Sequence, residues 1–276
     1  MNPHAPMPTS FASMVRTLWT HKRLILQMTR REVVGRYKGS VMGLLWSFLN
    51  PLLMLVVYTF VFSVVFKAKW GGTADESRTQ FAVVLFAGLI VHLLFAEILN
   101  RSPALILQNV NYVKKVVFPL ETLVAICAGS ALFHAMVSAV VLFLVFFGLN
   151  GYLPWTVIFL PLTLVPLLIL ALGIGWIFAS LGVFARDLGQ VVGVLTTILQ
   201  FLSPIFFPLN SLPPTIRPWV MLNPLTFIIE QTREVAVWGH LPNFSGLLVY
   251  MICASLFAWL GYAWFQKTRK GFADVL

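Results

Sequence analysis

Charge is scarce in this chain. Only 10% of its residues are Asp, Glu, Lys or Arg, against about 25% in a soluble domain, which excludes an ordinary water-soluble fold. There are nine carboxylates in all, and none lies near the middle of an apolar stretch. A proton- or sodium-coupled carrier, which needs ionisable groups inside the membrane, is therefore disfavoured. His92 and His134 are the deep titratable side chains, and a lone His among apolar neighbours reads as hydrogen-bonded to a nearby helix. The chain has no G-x-x-x-x-G-K-[ST] phosphate loop, no H-E-x-x-H, no C-x-x-C and no D-x-D. It offers no cradle for nucleotide phosphates, no metal-ligand spacing and no paired acids, so no catalytic residue and no metal site are expected. The two cysteines, Cys127 and Cys253, sit inside apolar stretches and read as small core residues. No apolar region followed by a small-residue cleavage site occurs in the first 40 residues, so the first long apolar stretch is expected to act as an uncleaved signal.

Apolar length is what the chain has. Hydrophobic residues make up 59%, and they gather into six stretches at 41–66, 81–99, 123–149, 157–184, 191–209 and 244–265. A helix rises about 1.5 Å per residue, so about 20 residues cross a 30 Å hydrocarbon core. The pattern predicts an all-α membrane protein with six transmembrane helices. Residues 1–37 form an N-terminal segment and residues 38–276 one transmembrane domain. With the N-terminus inside, the inner segments hold 14 Lys and Arg and the outer segments five. The positive-inside rule then places both termini in the cytoplasm of a multi-pass protein. The net charge of +10 borders the spans and carries no reading module, which argues against nucleic acid.

Three polar intervals carry pattern. From Ser10 to Tyr37, Phe11, Met14, Val15, Leu18, Leu24, Ile25 and Met28 recur at three- and four-residue spacing against Arg16, Lys22, Arg23, Arg30 and Arg31. This predicts an amphipathic helix in the interface plane, either a topology anchor or a partner surface. Around residues 103–115, Ser102 can cap a short helix with Pro103 at its first position, which is the shape of a docking element or of a plain connector. Residues 205–242 hold Pro208, Pro213, Pro214, Pro218, Pro224 and Pro242 beside Trp219, Leu222, Glu230, Arg233 and Glu234. Two short helices broken at Asn223-Pro224 and dipping back into the outer leaflet fit this re-entrant gate region, since irregular backbone at membrane depth must be buried in protein or line water. A structural cap over the bundle is the other reading.

Helical spacing also groups side chains by face. Along the first stretch Phe48, Tyr58, Thr59, Phe62 and Phe66 fall within about 100° of one another, and along the fifth Gly189, Gly193, Thr196, Gln200, Ser203 and Phe207 fall within about 80°. Gly189-x-x-x-Gly193 suits close helix packing. The two faces together also suit the wall of a sugar passage, with rings to stack on sugars and hydroxyl and amide groups to bond them.

The run Arg36-Tyr37-Lys38-Gly39-Ser40, then Gly43-Leu44-Leu45-Trp46, Asn50-Pro51-Leu52 and Val61-Phe62-Ser63, resembles the opening of the type-2 ABC exporter permeases for polysaccharides, which serve O-antigen, capsule and teichoic acid export. Val113-Lys114-Lys115-Val116-Val117-Phe118-Pro119, Ser203-Pro204-Ile205, Pro213 and Asn223-Pro224-Leu225 resemble later parts of the same family. The resemblance implies a homodimer bound to two copies of a separate ABC ATPase, with ATP and Mg held by that subunit and no cofactor on this chain. It implies a substrate on a lipid carrier, often undecaprenyl diphosphate, exported across the inner membrane. Phe48, Tyr58, Thr59, Phe62, Phe66, Thr196, Gln200, Ser203 and Phe207 would line the channel. Arg36 and Lys38 would meet the lipid diphosphate, or else serve as plain positive-inside anchors. Leu105, Leu107, Gln108, Arg30 and Arg31 would dock the ATPase, and Pro213, Trp219, Asn223, Pro224, Glu230 and Arg233 would form the outer gate. The alternatives are a same-fold exporter of another amphiphile (a drug, haem, a lipo-oligosaccharide or a teichoic acid), or a membrane enzyme acting on polyprenyl-linked sugars through Asp187 with Glu97 or Glu121.

Overall fold

The computed structural model describes residues 8–65, 70, 78–114 and 118–276, and the described residues contain helices and no strand. Phe66, residues 67–69 and 71–77, and residues 115–117 of the Val113–Pro119 motif lie outside the described residues.

Helix α1 (Phe11–Thr20) starts at Ser10, whose hydroxyl accepts from the Ser13 N–H, the usual remedy for an unpaired N-terminal donor. The expected long amphipathic helix is two helices, because the chain breaks at His21 before α2 (Lys22–Tyr37). Here α1 lies on the last long helix, with Trp259 Nε1 donating to the Thr9 carbonyl at 2.8 Å and Thr17 Oγ1 3.4 Å from the Tyr262 hydroxyl. The second half of α2 runs up beside another long helix instead of lying alone. Gly39 (φ +87°) and Gly43 (φ +51°) then turn the chain through conformations that side-chain-bearing residues resist.

Helix α3 (Trp46–Tyr58) carries Pro51 in its interior and continues as a π-helix, Thr59–Val65. Together with α9 (Leu188–Leu202) it is one of two shorter apolar helices. Among the described residues, four helical segments are long and apolar enough to cross a membrane. They are centred on α4 (Arg78–Arg101), α7 (Thr122–Asn150), α8 (Leu160–Phe184) and α12 (Phe244–Thr268). Burial sorts these four. The apolar window of α4 is 89% buried, against 39% for α7 and α8 and 22% for α12, so α4 is the axis around which the others pack.

In hydrocarbon, helices associate through close backbone approach at small residues, because burying apolar surface gains little there. The α8–α12 crossing shows this. A Cβ on Gly173 would lie 2.7 Å from the Ala258 Cα, and one on Gly261 would overlap the Gly173 carbonyl. Gly182 meets the Pro103 carbonyl in the same way.

That last contact wedges residues 102–104 into α8. Ser102 does not cap a new helix. It is fully buried and its hydroxyl donates back to the Ile98 carbonyl at 2.6 Å, a competing bond open to serine near a helix end. The expected 103–115 helix is two short pieces, α5 (Leu105–Gln108) and α6 (Val110–Lys114). Asn109 separates them, its amide capping the Leu105 carbonyl at 2.8 Å. Between α9 and α12 lie α10 (Arg217–Met221) and α11 (Pro224–Arg233), broken at Asn223-Pro224 as the sequence suggests. Asn223 caps α11 by accepting from the Leu225 N–H at 3.0 Å. A final short helix, α13 (Phe272–Val275), ends the chain.

Candidate functional site

The proposed side chains fall into four groups. The first joins α2, α4 and α7. Glu97 of α4 is ion-paired to Arg36 Nη1 at 2.9 Å and to Arg101 Nη1 at 3.5 Å, and is hydrogen-bonded to His134 Nδ1 at 3.0 Å. Arg101 also pairs with Glu32. Arg36 reaches His134 Nδ1 at 3.1 Å through that same Nη1. Thr29 lies against Ile126 and Gly129, and Arg36 against His134, so α2 climbs α7 in the same direction. His134 is thus hydrogen-bonded to a neighbouring helix, as expected of a lone His, although its sequence surroundings did not reveal which partners, since they come from 37 and 98 residues away. Burial raises the Tyr37 phenol above its usual pKa, so it stays protonated. Lys38, the other expected diphosphate contact, is exposed at the end of α2.

The second group is the expected docking set. Arg30 and Gln108 are exposed and Leu107 is half-buried. Arg31 Nη2 donates to the Tyr112 hydroxyl at 3.2 Å, tying α2 to α6 in one surface. Leu105 does not belong to that surface. It is 5% exposed and packs in the protomer's own core with Met14, Ile106 and Trp176, so a partner cannot reach it.

The third group is the pair of faces on α3 and α9. Phe48 is exposed, and Tyr58, Thr59 and Phe62 are half-buried. Thr59 turns its hydroxyl to the Leu55 carbonyl. Phe62 stacks on Phe206, centroids 5.3 Å apart, and Phe206 in turn stacks on Phe201 and lies beside Tyr58. Phe206 and Phe201 were not singled out by helical spacing, because at 100° per residue each falls off the stripe by one step, Phe201 from Gln200 and Phe206 from Phe207; α9 ends at Leu202, so that angle does not place Phe206. The polar stripe divides. Thr196 is 3% exposed and donates to Asn100 Oδ1 at 3.0 Å, and Ser203 is fully buried, accepting from Asn223 Nδ2 at 2.8 Å. Both are packing contacts within the protomer and present no free wall. Gln200 and Phe207 are half-buried, and Gly189 and Gly193 face open space, with nothing within 4 Å of a Cβ added to either.

The fourth group is the outer-gate set. Pro213 and Trp219 are exposed, whereas Asn223, Pro224 and Glu230 are half-buried. Arg233 is fully buried and spends its guanidinium on four acceptors. They are the Val84 carbonyl of α4 at 3.0 Å, the Pro204 and Ile205 carbonyls after α9 at 2.6 and 3.1 Å, and Glu230 Oε1 at 2.8 Å. Its guanidinium carbon lies 4.1 Å over the Trp70 ring. A planar fork with five donors suits one ion pair plus several carbonyls better than an ammonium would.

Of the carboxylates named for the enzyme alternative, Asp187 is exposed. Glu97 is held as above, and Glu121 is paired with Arg269 at 2.8 Å. Among the described residues no three His, Cys, Asp or Glu side chains gather as a metal site.

The model of the ABC-2 type transporter family matches residues 23–237. The chain belongs to that family. It is 25% identical over 265 residues to the O-antigen export system permease protein RfbA of Myxococcus xanthus, covering 95% of this chain and 99% of that protein. It is 28% identical over 255 residues to the protein of that name from Klebsiella pneumoniae, covering 92% and 95%. The polysialic acid transport protein KpsM of Escherichia coli is 28% identical over 243 residues, covering 87% and 91%. This ABC-2 chain is thus similar along nearly its whole length to permeases of two kinds of bacterial polysaccharide.

Proposed function

We propose that the chain is the transmembrane permease subunit of an ATP-driven exporter, moving a lipid-linked, O-antigen-like polysaccharide from the cytoplasm across the inner membrane. The observation that carries this reading is the near full-length similarity to O-antigen and polysialic acid permeases. In this reading ATP and Mg belong to a separate ATPase, which the lack of a phosphate loop in this sequence supports.

In this reading α3, with its π-helical extension, and α9 complete six spans with the four long helices, and both termini lie in the cytoplasm, which the bias of 14 basic residues to five supports. Two copies assemble with two ATPase subunits. Phe48, Tyr58, Thr59, Phe62, Phe206, Gln200 and Phe207 border the glycan passage. Arg36 and Lys38 stand at its inner mouth, where fixed cations attract a diphosphate. Arg30, Arg31, Leu107 and Gln108 take the ATPase stroke. The segment 205–242 is re-entrant and closes the outer end.

The test is purification of the full chain from its native membrane. A phosphate-loop ATPase should co-purify, with hydrolysis tracking that subunit and vanishing from the isolated chain. Hydrolysis by the isolated chain would refute the reading.

A further inference from the structure

At the end of the bundle away from Glu97, a hollow of about 260 Å³ is formed by the start of α4, the end of α7, the loop that follows it and the π-helix Glu234–Trp238. Its polar groups are neutral. The carboxamides of Gln80 and Asn150, the Tyr152 phenol and the Trp238 indole line it, and among the described residues no Lys, Arg, His, Asp or Glu does. Gln80, Asn150 and Tyr152 are exposed and Trp238 is half-buried. Asn150 Nδ2 donates to the Phe146 carbonyl at 3.0 Å, which holds the amide in place and leaves its oxygen and second N–H to a ligand. The Tyr152 ring stands edge-on to the buried Phe146 ring, centroids 5.8 Å apart and planes at 88°. The two sides of the hollow are fastened together. Thr156 is fully buried, and its hydroxyl donates to the Val235 carbonyl at 2.7 Å, tying the loop after α7 to the π-helix. Trp238 ends that π-helix, a rare conformation that is frequent at functional sites.

A phosphate or carboxylate would find no cation in this hollow, and a lipid chain would leave its amides without partners. Its walls suit a neutral, hydroxyl-rich ring, whose hydroxyls both donate and accept and whose C–H face rests on aromatic carbon. The volume lies just under the roughly 300–1,000 Å³ of pockets for drug-sized molecules, which suits one ring and not a chain passing through. We propose that the hollow is a subsite for a single neutral sugar ring, with Gln80 and Asn150 bonding its hydroxyls and Tyr152 and Trp238 forming its aromatic wall. The inference rests on the export reading and its orientation, which put this end of the bundle outside. It deepens that reading by making the cargo a glycan with neutral sugar units. A unit held here has already crossed the bilayer, so the subsite opposes return of the emerging chain. It shares no residue with the aromatic cluster at Phe62 and Phe206.

The test uses the full chain in nanodiscs, because maltoside detergents carry sugar headgroups of their own. Saturation-transfer NMR is run with the methyl glycosides of glucose, galactose, mannose, rhamnose and N-acetylglucosamine, and with that of N-acetylneuraminic acid as the anionic probe. At least one neutral glycoside should bind at millimolar concentration, and the anionic one should not. Asn150→Ala and Tyr152→Ala alter exposed side chains, so protein level should hold while binding weakens about fivefold in each, as for one lost hydrogen bond or ring contact. Trp155→Ala, at an exposed aromatic of the same end that does not line the hollow, should leave binding unchanged. Absence of binding by every neutral glycoside, equal binding of the anionic probe, or equal weakening in all three variants would overturn the proposal. The binding readout involves no transport, so the two readings fail separately. A null binding result with normal export sinks this subsite alone, whereas unchanged surface polysaccharide after deletion of the chain sinks the export reading.

Discussion

Arg233→Met tests how the segment between α9 and α12, the proposed outer gate, is held. The substitution keeps a long apolar stem and removes every donor that ties Val84, Pro204 and Ile205 to α11. Three buried carbonyls lose a charge-assisted partner and Glu230 loses its cation. Each orphaned buried acceptor costs about 1–3 kcal/mol, and breaking a buried ion pair costs about 3–5 kcal/mol. Because the groups relax together, the sum is taken as about 3–5 kcal/mol. With about 2–4 °C per kcal/mol for a chain of this size, the unfolding midpoint of the purified protein should fall on the order of 10 °C. The loss should be local first. Protease added from the outer side should cut between α9 and α11 in the variant and not in the parent. Arg233→Lys should recover only part of the loss, since one ammonium cannot span four acceptors. A midpoint within 2 °C of the parent's, about the change expected for 1 kcal/mol or less, with unchanged proteolysis, would refute this account of the outer segment.

Gly261→Leu puts a side chain into the Gly173 backbone, and membrane-inserted protein should drop steeply in a blot of the membrane fraction, whereas Leu260→Ala on the exposed side of α12 should leave it unchanged. In the proposed docking surface, Leu107→Asp with Gln108→Asp should abolish co-purification of the ATPase at normal insertion. Leu105→Asp, by contrast, should lower insertion itself, because a carboxylate in that core costs several kcal/mol. Along the proposed passage, Gln200→Trp should reduce surface polysaccharide per inserted protein, while Thr196→Trp should reduce both together by breaking the Asn100 contact. Phe62→Ala and Phe206→Ala should each slow export, and a normal rate in both would remove the aromatic cluster from the passage.

The sequence read most clearly where one helix decided the matter. The four long helices and the break at Asn223-Pro224 follow from apolar length and proline, which are local properties. Placement failed where a residue's fate depends on a distant neighbour. Leu105 looked like a docking residue on a surface helix, yet Gly182 of α8 lets residues 102–104 in and carries Leu105 into the core. Thr196 and Ser203 shared a face by angle, but Asn100 and Asn223 turn both inward. Arg233 stood in a polar interval, and only the fold reveals that three of its acceptors lie 28, 29 and 149 residues away. The Glu97 network is of the same kind, since a glutamate near a span end gives no sign that α2 will climb α7 to meet it.

The central claim is that this chain moves a lipid-linked polysaccharide outward. The most direct measurement is surface polysaccharide in a strain whose copy of this chain is deleted, alongside the lipid-linked glycan retained inside. The account predicts that surface polysaccharide disappears, that lipid-linked glycan accumulates on the cytoplasmic side, and that both are restored by the chain together with its ATPase. Unchanged surface polysaccharide with no internal accumulation would contradict it.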